Sequence, residues 1–146
     1  MVIVADTSFL FSFYGDDAHT SKAIAWLQQQ AQPLSITSLT EFELANAFRF
    51  ACFRKAITEE QATLYWQHFE EDRDAGRIRI RQANLAQLIA TAGKLSEQFT
   101  SGRGHRSFDI LHVAGAMELG ADVFLTFDGN QEVLAKSQGL DVQVKP

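Results

Sequence analysis

Four short apolar runs, at residues 2–5, 34–37, 123–127 and 142–144, limit what this chain can fold into more than anything else in it. Each is long enough for a buried strand and too short for a helix. Between them the apolar spacing changes to the helical period. Leu85, Leu88, Ile89, Ala92, Leu95 and Phe99 fall on one stripe, which predicts a helix from near Asn84 to just before Gly102. Ala62, Tyr65, Trp66 and Phe69 mark a second stripe, opened by Thr58 with Glu59 and Glu60 where carboxylates suit the helix dipole. Ile24, Trp26 and Leu27 predict a shorter helix ending before Pro33, and another begins near Ser38. Segment 77–81, RIRIR, alternates but carries only two apolar residues, so it reads as an edge strand or a short link. Strands alternating with helices in this way predict an α/β fold, its mostly parallel sheet covered on both faces.

The 146 residues suit one domain, 1–146, with no internal boundary, repeat or low-complexity stretch. Hydrophobic residues at 46% and charged residues at 21% are globular proportions, which argues against a long disordered segment. The single cysteine, Cys52, excludes an intramolecular disulfide and a cysteine-based zinc site. The opening MVIVADTS lacks the pattern of a secretory leader, and no apolar run approaches the roughly 20 residues of a membrane span. A cytoplasmic protein with no membrane role is expected. A net charge of -5 argues against nucleic-acid binding by bulk charge. The objection is only global, because basic residues cluster locally at Arg49, Arg54 and Lys55, at Arg73, Arg77, Arg79 and Arg81, and at Arg103 and Arg106.

Four acids, Asp6, Glu43, Asp109 and Asp128, stand where a predicted strand ends or a helix begins. In open parallel sheets, sites form outside the carboxyl ends of the strands, which is where Asp6 and Asp128 fall. Singly, each has an ordinary explanation. Asp6 and Asp128 suit the caps of following helices, and Asp109 sits in a first turn that favours a carboxylate. Glu43 is harder to explain so, since Phe42, Leu44, Ala45, Ala47 and Phe48 surround it and no arginine of its own helix has the spacing to pair with it. Glu41 lies about 200° away around the same helix, so the two glutamates cannot share a face. Carboxylates gathered at one sheet edge repel one another unless cations hold them, and with no Cys or paired His pattern the donor set suits magnesium or manganese.

The segments VIVADTS, TEFELANA and RSFDILHVAGAMELGADVFLTFD, followed by Gln131 and the run from 134 to 140, resemble the PIN-domain nucleases, in particular the VapC-type toxins of toxin–antitoxin pairs. The resemblance runs almost the whole chain. It implies a three-layer α/β/α sandwich with a mostly parallel central sheet and a metal-dependent endoribonuclease that hydrolyses RNA phosphodiester bonds. Asp6, Glu43, Asp109 and Asp128 would be the catalytic acids that bind Mg2+ or Mn2+, with Ser8 and Thr126 steadying them. It further implies an antitoxin partner, a homodimer, and products ending in 5′-phosphate and 3′-hydroxyl. Asp6 would be the ligand shared between ions, Glu43 and Asp109 would complete the tighter site, and Asp128 would act through water on a weaker one.

Around these acids, His112 stands one turn beyond Asp109, placed either to bond a carboxylate or phosphate or to serve as an ordinary satisfied interior histidine. His105, Arg103 and Arg106 of the GRGHR turn are expected at the RNA backbone. Phe42, Phe48, Phe50 and Phe53 cover more than one face of their helix, which points either to a partner or to a covering helix bearing Trp66 and Phe69. A catalytically weak PIN-like scaffold that binds RNA or protein is the alternative function. A phosphotransfer domain fits poorly: position 8 is Ser where a haloacid-dehalogenase pattern wants Asp, and no receiver-type acidic pair or late lysine is evident.

Overall fold

The computed structural model describes residues 1–144. Four strands, β1 (Ile3–Ala5), β2 (Leu34–Ile36), β3 (Ile78–Ile80) and β4 (Val123–Leu125), form one all-parallel sheet in the order β3-β2-β1-β4. The chain builds outward from β1 through β2 to β3, then crosses back to place β4 on the other side of β1. The strand order therefore reverses between β1 and β4, and the crevice at their carboxyl ends is the switch point of the sheet. Register brings Ala5 opposite Leu125, so the next residues, Asp6 and Thr126, leave the sheet side by side.

Eight helical segments cover the strands: α1 (Thr7–Tyr14), α2 (Thr20–Gln28), α3 (Ser38–Phe53), α4 (Glu59–Asp74), α5 (Leu85–Leu95), α6 (Ser101–Arg103), α7 (Ser107–Glu118) and α8 (Gly129–Ser137). Alternate strand residues feed opposite cores, as the pleat requires. Ile3, Ala5, Leu34, Ile36, Val123 and Leu125 pack with Phe9, Leu44, Phe48 and Phe69 of α1, α3 and α4. Val4 and Phe124 face the other way, onto Leu88, Val113, Ala114 and Leu134 of α5, α7 and α8. The result is a three-layer α/β/α sandwich. Strands buried on both faces read as largely apolar runs, which is why β1 and β4 stand out in the sequence, and β2 with only Ser35 interrupting it.

Local chemistry sets the helix boundaries. Thr58 opens α4 with a reciprocal capping box: its hydroxyl accepts from Gln61 N at 3.1 Å, and Gln61 Oε1 accepts from Thr58 N at 2.9 Å. Close approach of α7 to the sheet depends on Gly115, where a Cβ would lie 3.3 Å from Thr37 Cγ2 and 3.4 Å from Leu88 Cδ1. The helix predicted from Asn84 begins as expected, with Asn84 capping through Gln87 N, but it loosens into a π-helical turn at Ser96–Thr100 before α6. Gly104, at φ +68, then reverses the chain into α7.

One strand expectation needs correction. Segment 142–144 forms no strand among the described residues; the chain touches the sheet in a single parallel bridge, Asp141 with Val123. Val142 and Val144 are buried all the same, so their hydrophobicity reports burial rather than pairing. Of the two readings of RIRIR, the edge strand holds: it supplies β3 beside β2, with Ile78 buried, Arg79 exposed and Ile80 half-buried. An edge strand covered on one face needs little apolar sequence. No helix among the described residues is long and apolar enough to cross a membrane.

Candidate active site

Asp6, Glu43, Asp109 and Asp128 all line one open groove of about 780 Å3 at the carboxyl end of the sheet. Asp6 follows β1, Asp128 follows β4, Glu43 comes from the second turn of α3, and Asp109 comes from the first turn of α7. Asp6 is fully buried and is held on both oxygens. Its Oδ1 accepts from Phe9 N at 2.9 Å and Ser8 Oγ at 2.8 Å, and its Oδ2 accepts from Thr126 Oγ1 at 2.6 Å. The hydroxyls are aimed by backbone donors behind them: Ser8 Oγ accepts from Phe127 N at 2.9 Å, and Thr126 Oγ1 accepts from Asp128 N at 3.0 Å. With their acceptor sides occupied, both hydroxyls direct their protons at Asp6. Burial nevertheless dominates and pushes the Asp6 carboxyl up to about 6, against the opposing charge of His112 and these hydrogen bonds.

Glu43 is half-buried, and its partner is a histidine rather than an arginine. His112 Nε2 donates to Glu43 Oε1 at 2.9 Å and lies 3.2 Å from the Thr7 hydroxyl, while the Thr40 hydroxyl lies 3.2 Å from Nδ1. His112 is thus at once an interior histidine with both nitrogens satisfied and the group that aims a site carboxylate. Burial raises the Glu43 pKa, but the His112 hydrogen bond and charge, with smaller help from the Thr7 hydroxyl and the Arg106 charge, together outweigh it and leave Glu43 below its ordinary value. Glu41 turns the other way, to Arg73 of α4 at 3.3 Å, as the helical angle between the two glutamates requires.

Asp109 is raised above its ordinary value, first by burial and next by the charge of Asp128, with Glu43 adding to it and Arg106 and His112 opposing. Carboxylates on three different elements therefore feel one another across the groove. Asp128 caps α8, its Oδ1 accepting from Gln131 N at 2.8 Å. Gln131 is almost fully buried, and its Nε2 lies 3.4 Å from Asp109 Oδ1. Thr7, Thr40 and this Gln131 contact were not legible as site features, although Thr40 precedes Glu43 by three positions and so shares its helix face.

As placed, no group of three or more His, Cys, Asp or Glu side chains among the described residues forms a coordination sphere. The acids are instead occupied by donors: Asp6 by two hydroxyls and an amide, Glu43 by His112, and Asp128 by its cap. The donor set still fits a hard divalent ion. It is all oxygen, Asp128 and Glu43 raise the proton affinity of Asp109, and the buried Gln131 Oε1 beside it has no hydrogen-bond partner.

Of the GRGHR turn, Arg106 reaches the groove, its Nε 3.7 Å from Asp109 Oδ2. His105 does not meet the expectation of an RNA contact, because it is buried. Arg54 also lines the groove, its guanidinium 5.1 Å over the ring of Phe50. The expected cluster at 73–81 is partly spent elsewhere, with Arg73 bridging Glu41, Glu70 and Asp74 and Arg77 pairing with Asp72 at 2.6 Å. Of the α3 phenylalanines, only Phe48 is covered by α4, against Tyr65; Phe42, Phe50 and Phe53 remain exposed.

The chain belongs to the PIN domain family, whose profile matches residues 3–137. Its fold is similar to that of the VapC20 toxin of Mycobacterium tuberculosis, described as cleaving the sarcin-ricin loop, with TM-score 0.69, 17% identity, and coverage of 90% of this chain and 93% of that one. VapBC2 from Rickettsia felis, solved on a DNA fragment from its promoter, matches with TM-score 0.69 and 17% identity over 98% of each chain. FitAcB from Neisseria gonorrhoeae matches with TM-score 0.66 and 17% identity, over 97% of this chain and 96% of that one. No curated protein matches the sequence.

Proposed function

We propose that this PIN-domain protein is a metal-dependent endoribonuclease and the toxin of a toxin–antitoxin pair, acting in the cytoplasm. One observation carries the reading: four carboxylates from four separate elements open on one groove, with the central one, Asp6, buried at a cost that a cation would offset. Membership of the PIN family and a fold shared with VapC20 and the VapBC and FitAB assemblies support it.

Asp6, Glu43 and Asp109 would hold Mg2+ or Mn2+ directly, with Asp128 acting through water. When bound, such an ion supplies Lewis acidity at a phosphoryl oxygen and lowers the pKa of a coordinated water. The chain does the rest. Ser8, Thr126 and the Phe9 amide fix the Asp6 carboxylate, so little reorganisation remains at the moment of reaction. His112 keeps Glu43 ionised and aimed. Arg106, exposed at the groove mouth, presents a guanidinium to a phosphate, and the Phe50 and Phe108 rings on the groove wall offer faces to unpaired bases. Water rather than the RNA 2′-hydroxyl attacks, giving 5′-phosphate and 3′-hydroxyl ends. The exposed Phe42, Phe50 and Phe53 face is the candidate contact for an antitoxin or for a second copy.

Cleavage of RNA in Mg2+ or Mn2+, with the ends sequenced, tests the reading. EDTA or Asp6→Asn is expected to abolish cutting without unfolding the protein. Persistent cutting in EDTA with 2′,3′-cyclic phosphate ends refutes it. The scaffold alternative draws on the dispersed placement of the acids. It predicts RNA binding without cleavage under every metal condition.

A further inference from the structure

Gln131 is a polar side chain that the fold buries to 2% exposure in the wall of an otherwise acidic groove. A buried carboxamide needs partners for both ends, and mutational data put the cost of leaving one end unpaired at about 1–3 kcal/mol. One end has its partner. Nε2 faces Asp109 Oδ1 at 3.4 Å, and the amide orientation follows from chemistry, since the opposite flip would set a carbonyl against a carboxylate. The other end, Oε1, is buried with no hydrogen-bond partner.

The same residue also donates its backbone N–H to Asp128 Oδ1 at 2.8 Å. Gln131 therefore places one N–H on each of two carboxylates whose mutual repulsion raises Asp109. It joins α8 to α7 without bringing any charge. A lysine or arginine at this point would neutralise the pair, and a glutamate would add a further negative charge. A second tie holds this turn of α8: Asn130 Oδ1 accepts from Arg103 Nε at 3.1 Å, and Asn130 Nδ2 donates to Arg103 O at 3.1 Å. The first turn of α8 is thus pinned on both sides, and the spacing of Asp109 and Asp128 is fixed through it.

We propose that Gln131 is the positioning residue that spaces Asp109 and Asp128 for a divalent cation, through one N–H on each carboxylate. The inference rests on the metal-dependent reading above. It explains why a neutral amide, rather than an apolar side chain, occupies a buried position of the groove wall. Groups that orient metal-binding carboxylates typically change affinity by about 10–100-fold when removed.

The test uses the full chain and Mn2+ alone, titrated by calorimetry and by Mn2+ electron paramagnetic resonance, with thermal unfolding in EDTA beside it. Gln131→Met keeps the volume and removes both polar ends. It is expected to weaken Mn2+ binding at least about tenfold while leaving the EDTA melting temperature unchanged or higher, because a buried unsatisfied oxygen is lost. A merely structural role predicts the reverse: a lower melting temperature in EDTA and unchanged Mn2+ affinity, which would overturn the proposal. Gln131→Leu, branched, apolar and similar in size to Met, gives the same discrimination should the Met variant fail to fold. Asp109→Asn separates the two levels of inference. If it abolishes Mn2+ binding while Gln131→Met leaves the affinity unchanged, the positioning role is wrong and the metal reading stands. If the wild type binds no Mn2+, both fail.

Discussion

Replacing Asp6 with asparagine should stabilise the metal-free protein at neutral pH, although it destroys the centre of the site. Asp6 titrates at about 6 in the folded protein against 3.8 for an ordinary aspartate, because its burial outweighs the hydrogen bonds it receives. A folded-state pKa above the unfolded one means that the native state binds the proton more tightly. The associated stability is fully present below about pH 4 and is lost as pH rises through about 6. The difference between the two values corresponds to about 3 kcal/mol. Asparagine mimics the neutral acid at every pH and keeps an oxygen for the Phe9 amide. Its NH2 faces hydroxyls that now donate to a carboxylate, which returns roughly 1 kcal/mol of the gain. In EDTA at pH 7.5, urea unfolding should therefore find Asp6→Asn more stable than wild type by about 1–3 kcal/mol, with the advantage gone at pH 4. Mg2+ should then stabilise the wild type and leave the variant unmoved. If the variant is less stable by the same margin at both pH values, the Asp6 carboxylate carries no latent electrostatic cost, and the argument for a cation at this position loses its footing.

Three further perturbations probe the neighbours of Asp6. His112→Ala removes the main group opposing burial at Glu43, so the Glu43 pKa should rise by NMR titration and metal affinity should fall by about 10–100-fold. Arg106→Ala, at a side chain 85% exposed, should leave the melting temperature unchanged and raise KM for RNA more than it lowers kcat. Replacing Phe50 and Phe53 together with serine should change chain stability by less than about 0.5 kcal/mol each, while analytical ultracentrifugation shows weakened association with a partner or with itself; unchanged association would free that face of any such role.

Much of this was readable because burial on both sides of a parallel sheet leaves largely apolar runs. β1, β2 and β4 follow directly from residues 2–5, 34–37 and 123–127, and the acids at their ends follow from the strand termini. The start of α4 at Thr58 and the opposite facing of Glu41 and Glu43 came from helix signals and helix geometry alone. What escaped depended on contacts distant in sequence. Nothing local distinguishes Val142 and Val144, buried without a ladder, from a strand. His105 lies in a Gly- and Arg-rich turn that reads as surface, yet the fold encloses it. Gln131 carries no local mark of burial, since its place depends on an acid 22 positions earlier in the chain.

One of the two hydroxyls that meet Asp6 comes from Thr126, 120 positions later. During synthesis the first strand and its aspartate leave the ribosome long before β4 exists to lie beside them, and loop closure over such a span is slow. The pocket therefore cannot be completed before β4 has emerged. On the proposed function, the order of chain emergence would itself keep the nascent molecule inert until that strand is made.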